Sequence, residues 1–267
     1  MRGFGGNPVY AIIVWRTLEV SAAALLCHWI LHWPLTGPHA LGLFLTPLLC
    51  AYFVFVFVAP WSWGLPIVTR LPTRAREVVL TFDDGPSPEV TPLILDALRR
   101  AETRAVFFVL GEAVERHPAL LCQILTEGHQ VGIHGYQHRP FVLLPSRTIQ
   151  TEVEQTRAAI VRACPDAAPT VWVRPPHGFK SLRLVLLARR ERWRLAAWSL
   201  DSRDYRETVA GRVAEIVRRG LRPGAVVLLH DGPRQAVTAE ALPLILAGLK
   251  AQGFKTRVLP PSSPAEA

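Results

Sequence analysis

Lysine is nearly missing from this chain, with 3 lysines against 27 arginines, and the net charge of +9 is spread without any dense basic tract. No nucleic-acid motif accompanies that charge, so a nucleic-acid binder would rest on bulk pI alone. Cysteine is scarce too. Cys27 and Cys50 fall inside apolar segments, while Cys122 and Cys164 lie in helical patterns with no C-x-x-C spacing, which implies neither a disulfide framework nor a zinc knuckle. Internal repeats and low-complexity tracts are lacking apart from the tail Pro260-Pro261-Ser262-Ser263-Pro264, which reads as loose.

Charge is wholly absent from Leu41 to Pro60. That is the length of about 20 residues a bilayer core demands, so this segment is expected to be a transmembrane helix, with Trp61 and Trp63 as interfacial anchors. Tyr10 to Trp33 is a second, less regular span, since it carries Arg16, Glu19, His28 and His32. A cleaved signal peptide is the alternative for this first segment, although the second would anchor the protein regardless. Arg2 precedes the first segment, the loop from Pro34 to Ala40 has no Lys or Arg, and Arg70, Arg74 and Arg76 follow the second. By the positive-inside rule this favours a hairpin at the inner (plasma) membrane with both ends in the cytoplasm. One span alone would put the remaining domain outside. The sequence therefore divides into a membrane region at 1–75, a folded domain at 76–260 and a flexible tail at 261–267. The diffuse basic excess reads as a solvated surface, with attraction to anionic lipid headgroups as the functional alternative.

Within the folded domain, Thr81-Phe82-Asp83-Asp84-Gly85-Pro86 places two adjacent carboxylates at the end of the apolar strand Val78-Val79-Leu80. Two such charges are costly to bury unless a cation compensates. His134-Gly135-Tyr136-Gln137-His138 supplies imidazoles four residues apart, and with Asp84 they make a two-histidine, one-carboxylate set that leaves coordination positions open. Three further clusters, Arg174-Pro175-Pro176-His177-Gly178, Asp201-Ser202-Arg203-Asp204-Tyr205 and Leu228-Leu229-His230-Asp231, each follow an apolar run. Polar residues at successive strand ends in an alternating strand-helix chain converge on one mouth.

Taken in order, these five motifs resemble those of the NodB-like polysaccharide deacetylases, carbohydrate esterase family 4, across roughly residues 76 to 260. The resemblance implies a distorted (β/α)7 barrel and a metal-dependent hydrolase that removes an N-acyl group, acetyl or formyl, from an amino sugar in a polysaccharide or a lipid-linked glycan. It implies a divalent metal on Asp84, His134 and His138, zinc first, with cobalt, nickel or manganese able to support the same chemistry. Asp83 would be the general base, His230 the general acid, Arg174 the residue orienting the base, and Asp201 or Asp204 the group tuning His230. Pro176, His177, Tyr205 and Leu228 would line the substrate cleft, with the backbone N–H near His177 as oxyanion donor. Gly135 stands where the family usually carries Ser or Thr, so a supporting hydrogen bond is absent or supplied otherwise. Tyr205 replaces the commoner Trp, and His177 sits where an aromatic ring often does. A catalytically silent, membrane-anchored carbohydrate-binding or scaffold protein is the competing expectation. Oligomeric state is left open.

Strand-like runs near 78–82, 105–109, 130–133, 171–174, 194–198, 225–229 and 255–258 alternate with helical patterns near 91–100, 112–127, 147–163, 181–190, 208–219 and 236–252. The alternation predicts parallel strands covered by helices, with the site at their carboxyl ends. Trp172, Trp193 and Trp198 are expected in the core, Trp198 close enough to the fourth motif to touch the cleft.

Overall fold

The computed structural model describes residues 45–53, 67–168 and 170–260. The chain divides into two units, Met1–Trp63 and Gly64–Ala267. In the first, residues 45–53 are helical. Among the described residues no helix is long and apolar enough to cross a membrane. The expected span at 10–33 lies outside the described residues, as does all but 45–53 of the one expected at 41–60.

Among the described residues the second unit has nine strands, all paired in parallel: β1 (Ile67–Val68), β2 (Glu77–Asp83), β3 (Val106–Val109), β4 (Gln130–Ile133), β5 (Trp172–Val173), β6 (Arg194–Ala196), β7 (Leu200–Asp201), β8 (Val226–His230) and β9 (Lys255–Arg257). Their order is β1-β6-β5-β4-β3-β2-β8-β7, with β9 on the start of β2. The sheet curls. An antiparallel bridge from Arg70 to Ala225, with the Leu71 N–H on the Gly224 carbonyl at 2.7 Å, draws the chain after β1 against the start of β8. Seven strands match the expected runs, while β1 and β7 have no counterpart in them. Each is two residues long, too short to show a period of two. Residues 67–68, assigned to the membrane region by the sequence reading, belong to this sheet.

Among the described residues seven α-helices cover it: α1 (Thr91–Arg100), α2 (Gly111–Arg116), α3 (Pro118–Thr126), α4 (Ser146–Ala163), α5 (Leu182–Arg190), α6 (Ala210–Gly220) and α7 (Ala236–Ala251). α1 starts with Pro92 in its first turn and ends on Arg99 and Arg100, which complement the helix dipole, while Ile94, Leu95 and Leu98 turn inward. The single helix expected at 112–127 is two. Pro118 has no N–H for the preceding turn and its ring crowds that turn, so α2 stops and α3 begins on the proline.

Strand alternation stacks the inner face in layers. Val79, Val106, Phe108, Trp172, Ala196 and Val226 form a buried cluster at its floor. One period of two further along the same strands come Thr81, Arg174 and Leu228, and one further again Asp83 and His230. Gly132 leaves room for Phe108, whose ring atoms would lie 2.5 Å from a Cβ there. Trp172 and Trp193 are buried, and Trp198 packs on the core cluster and against Gly178, where a Cβ would meet its ring at 2.2 Å.

Candidate active site

The core is apolar at its floor and ionisable toward its rim, and the expected site residues lie at that rim or, like Arg174 and Leu228, in the layer beneath it. β2 ends on Asp83, which is directly paired with His230 of β8. The next residue, Asp84, has φ 76°, a left-handed backbone that turns its carboxylate across the mouth. His134 follows β4, and His138, also left-handed at φ 58°, closes the short loop after it. His177 (φ 61°) and Arg203 (φ 61°) are left-handed as well. Such strain in non-glycine residues gathers at sites whose geometry is held by the rest of the fold.

Asp84, His134 and His138 each offer a ligand atom, all within 4.8 Å of one another. Asp84 Oδ1 lies 3.5 Å from His134 Nε2 and 3.2 Å from His138 Nε2, yet it is buried with no hydrogen-bond partner among the described residues. His134 Nδ1 donates to the Arg174 carbonyl at 2.8 Å, which leaves the Nε2 lone pair facing the carboxylates. Burial outweighs the neighbouring Asp84 charge and pulls the His134 pKa down to about 3, so its imidazole is neutral at physiological pH. The neutral His134 imidazole, the His138 ring beside it and an orphaned carboxylate oxygen fit a divalent cation.

Asp83 and Arg174 are both buried. Arg174 Nη1 donates to Asp83 Oδ1 at 2.7 Å and to Thr81 Oγ1 at 2.8 Å, and Nη2 donates to the Ala197 carbonyl at 3.0 Å. The guanidinium carbon sits 4.1 Å from the Phe108 ring centroid. Burial pushes the Asp83 carboxyl above the usual carboxylate range, and Arg174 offsets only part of this. The result is a carboxylate more basic than a surface aspartate and fixed on one oxygen.

Of the two aspartates left open by the sequence, Asp204 is the one that holds His230. Its Oδ1 is 2.7 Å from His230 Nδ1, and its Oδ2 accepts from the His230 backbone N–H at 2.7 Å and the Thr238 hydroxyl at 2.6 Å. Asp201 instead accepts from the Arg203 N–H at 2.8 Å and the Tyr205 hydroxyl at 3.3 Å, so it braces its own turn. Burial disfavours the imidazolium of His230, but the Asp204 hydrogen bond and the charges of Asp204, Asp83 and Asp84 prevail and push its pKa up to about 9. Its ring is therefore protonated at neutral pH.

The cleft residues also assemble. The Tyr205 ring stands edge-on to His230 at 5.6 Å, the His177 ring lies 4.4 Å from that of His138, Pro176 is buried beside it, and Leu228 sits beneath His230 on β8. Sequence reasoning missed Thr81, Glu152, Thr238 and the role of Asp231. Asp231 is buried, accepts from the Thr91 hydroxyl at 2.7 Å and from the Gly85 N–H, and burial with the nearby Asp84 and Asp83 pushes its pKa up to about 7. Its signal was adjacency to His230. That of Glu152 was a charge on the inward stripe of α4, between Ile149 and Thr156.

The polysaccharide deacetylase family model matches residues 70–194. Among curated relatives, the chitooligosaccharide deacetylase of Rhizobium leguminosarum bv. trifolii is 36% identical over 197 residues, covering 69% of this chain and 91% of that protein. The peptidoglycan-N-acetylglucosamine deacetylase PgdA of Listeria monocytogenes is 36% identical over 196 residues, covering 73% of this chain. The match spans only 40% of the length of that relative. Among solved structures, the Bc1960 peptidoglycan N-acetylglucosamine deacetylase superposes with a TM-score of 0.72 at 30% identity, over 76% of this chain and 95% of that one.

Proposed function

Because this chain belongs to the polysaccharide deacetylase family, we propose that it removes N-acetyl groups from N-acetylglucosamine units of a glycan in a metal-dependent hydrolysis. The observation that carries the reading is the Asp84, His134 and His138 cluster set beside an Asp83–His230 pair in register across β2 and β8. A divalent ion held by those three side chains supplies Lewis acidity, polarising the amide carbonyl and making water easier to deprotonate. Asp83, raised in basicity and aimed by Arg174, takes a proton from the attacking water. His230, held protonated by Asp204, gives a proton to the departing amine nitrogen. The backbone N–H near His177 would donate to the developing oxyanion. His177 and Tyr205 would form opposite walls of the cleft and set how the sugar ring lies.

The test is release of free amine and acetate from N-acetylglucosamine oligomers and from peptidoglycan. Release is expected from the metal-loaded chain, to be lost on chelation and restored by Zn2+ or Co2+. Release that survives chelation, or a metal-loaded chain inert on both substrates, would refute the proposal.

A pH profile probes the acid separately. The imidazolium of His230 is the active form, so its fraction is complete below the folded pKa of about 9 and is lost as pH rises through it. In Asp204→Asn the stabilising carboxylate is gone while burial remains, so the alkaline limb of kcat/KM moves down toward neutrality. Activity at pH 8 should then fall more than activity at pH 6. An unmoved limb would exclude His230 as the group that titrates there.

A further inference from the structure

We propose that the Glu152 carboxylate, from outside the metal-ligand loop, holds the peptide between His134 and His138 in its ligating shape, replacing the hydroxyl that Gly135 forgoes. The inference rests on the metal-dependent reading above. Gly135 has φ +86°, and a Cβ there would lie 3.2 Å from the Phe141 ring and 3.5 Å from Glu152 Oε2. A Ser or Thr at this position would be strained in its backbone and crowded in its side chain, so the loop cannot take its support from residue 135.

The support comes from two sides. On one, the N–H groups opening α2 donate to the loop carbonyls, Gly111 to Gly135 and Glu112 to Tyr136, each at 3.1 Å. These are donors a helix start leaves without intrahelical partners. On the other, Glu152 Oε2 accepts the Tyr136 N–H at 2.7 Å and the Gln137 N–H at 3.0 Å. Glu152 is only 4% exposed although it sits mid-helix, and Arg139, the residue after His138, lies 3.7 Å from its Oε1. Two successive amides on one carboxylate oxygen are charge-assisted bonds, and they fix the peptide planes that set the reach from His134 to His138. α4 thus acts on the metal through the loop and not by touching it. Glu152 is a positioning residue.

The experiment is a Co2+ titration of the full chain, read by the visible absorption of the bound ion against a competing chelator, for the parent, Glu152→Ala and Glu152→Gln. Removing groups that orient metal ligands lowers affinity by about 10–100-fold, and that loss is expected for Glu152→Ala. Glu152→Gln keeps an oxygen that can accept both amides and should recover most of the affinity. Turnover of the Ala variant should return largely at saturating Co2+. Equal Co2+ affinity in parent and Ala variant would overturn the inference alone. So would a Gln variant as weak as the Ala variant, with metal-free melting temperatures falling in step, because that is a folding defect and not a positioning one. A parent that binds no Co2+ would remove the metal-dependent reading and the inference together.

Discussion

Asp83→Asn is expected to lower the rate of N-acetyl removal by about 10²–10⁴-fold, the range a positioned general base contributes. Affinity for the metal should stay close to that of the parent. The substitution deletes the proton acceptor and little else. Asn keeps an oxygen where Arg174 Nη1 now meets Oδ1 at 2.7 Å, so the buried arginine retains a partner. The ligand atoms of Asp84, His134 and His138 are untouched. Steady-state kinetics beside a Co2+ titration separate the two effects. Turnover within tenfold of the parent would remove Asp83 from its role as base, and joint loss of turnover and metal would show it to be a ligand.

Arg174→Met should be the most destabilising single change at the site. The guanidinium is fully buried and bonds to Asp83, Thr81 and the Ala197 carbonyl. Its loss leaves a desolvated carboxylate with no partner, and breaking a buried pair in this way costs about 3–5 kcal/mol. Denaturant unfolding would show it as a lower midpoint. Asp83→Asn combined with Arg174→Met should recover part of that loss, because the orphaned charge is gone. A double variant no more stable than Arg174→Met would mean that the cost lies in packing over Phe108 and Trp198 instead. Arg174→Met should also be inactive, since Asp83 without its cation is held still further above the carboxylate range.

The site was legible because buried parallel strands read as apolar runs, and their first polar residues mark the mouth. Asp83, Asp84, His134, Arg174 and His230 all fall at that transition. What sequence could not resolve was which of two nearby aspartates faces His230. The left-handed Arg203 bends the chain so that Asp201 closes on the N–H two residues ahead and frees Asp204 for His230. Glu152 escaped notice for a different reason. It is eighteen residues past His134 on a helix that carries no motif, and only the packing of α4 against the loop brings it there. The break at Pro118 could be read from proline chemistry, whereas β1 and β7, two residues each, take their place through their neighbours β6 and β8.

The pairing of β2 carries a consequence for how the molecule is made. β2 holds both carboxylates and lies early in the unit, yet it borders β8 along one edge and receives β9 at its start. During vectorial synthesis those two partners leave the ribosome after the other described strands of the sheet. His230, and the Thr238 hydroxyl that bonds to its partner Asp204, also arrive late, so the proposed catalytic mouth cannot form on a nascent chain as the sheet grows. It closes only when nearly the whole unit has been translated, and until then Asp83 and Asp84 remain in water, where their charges cost little.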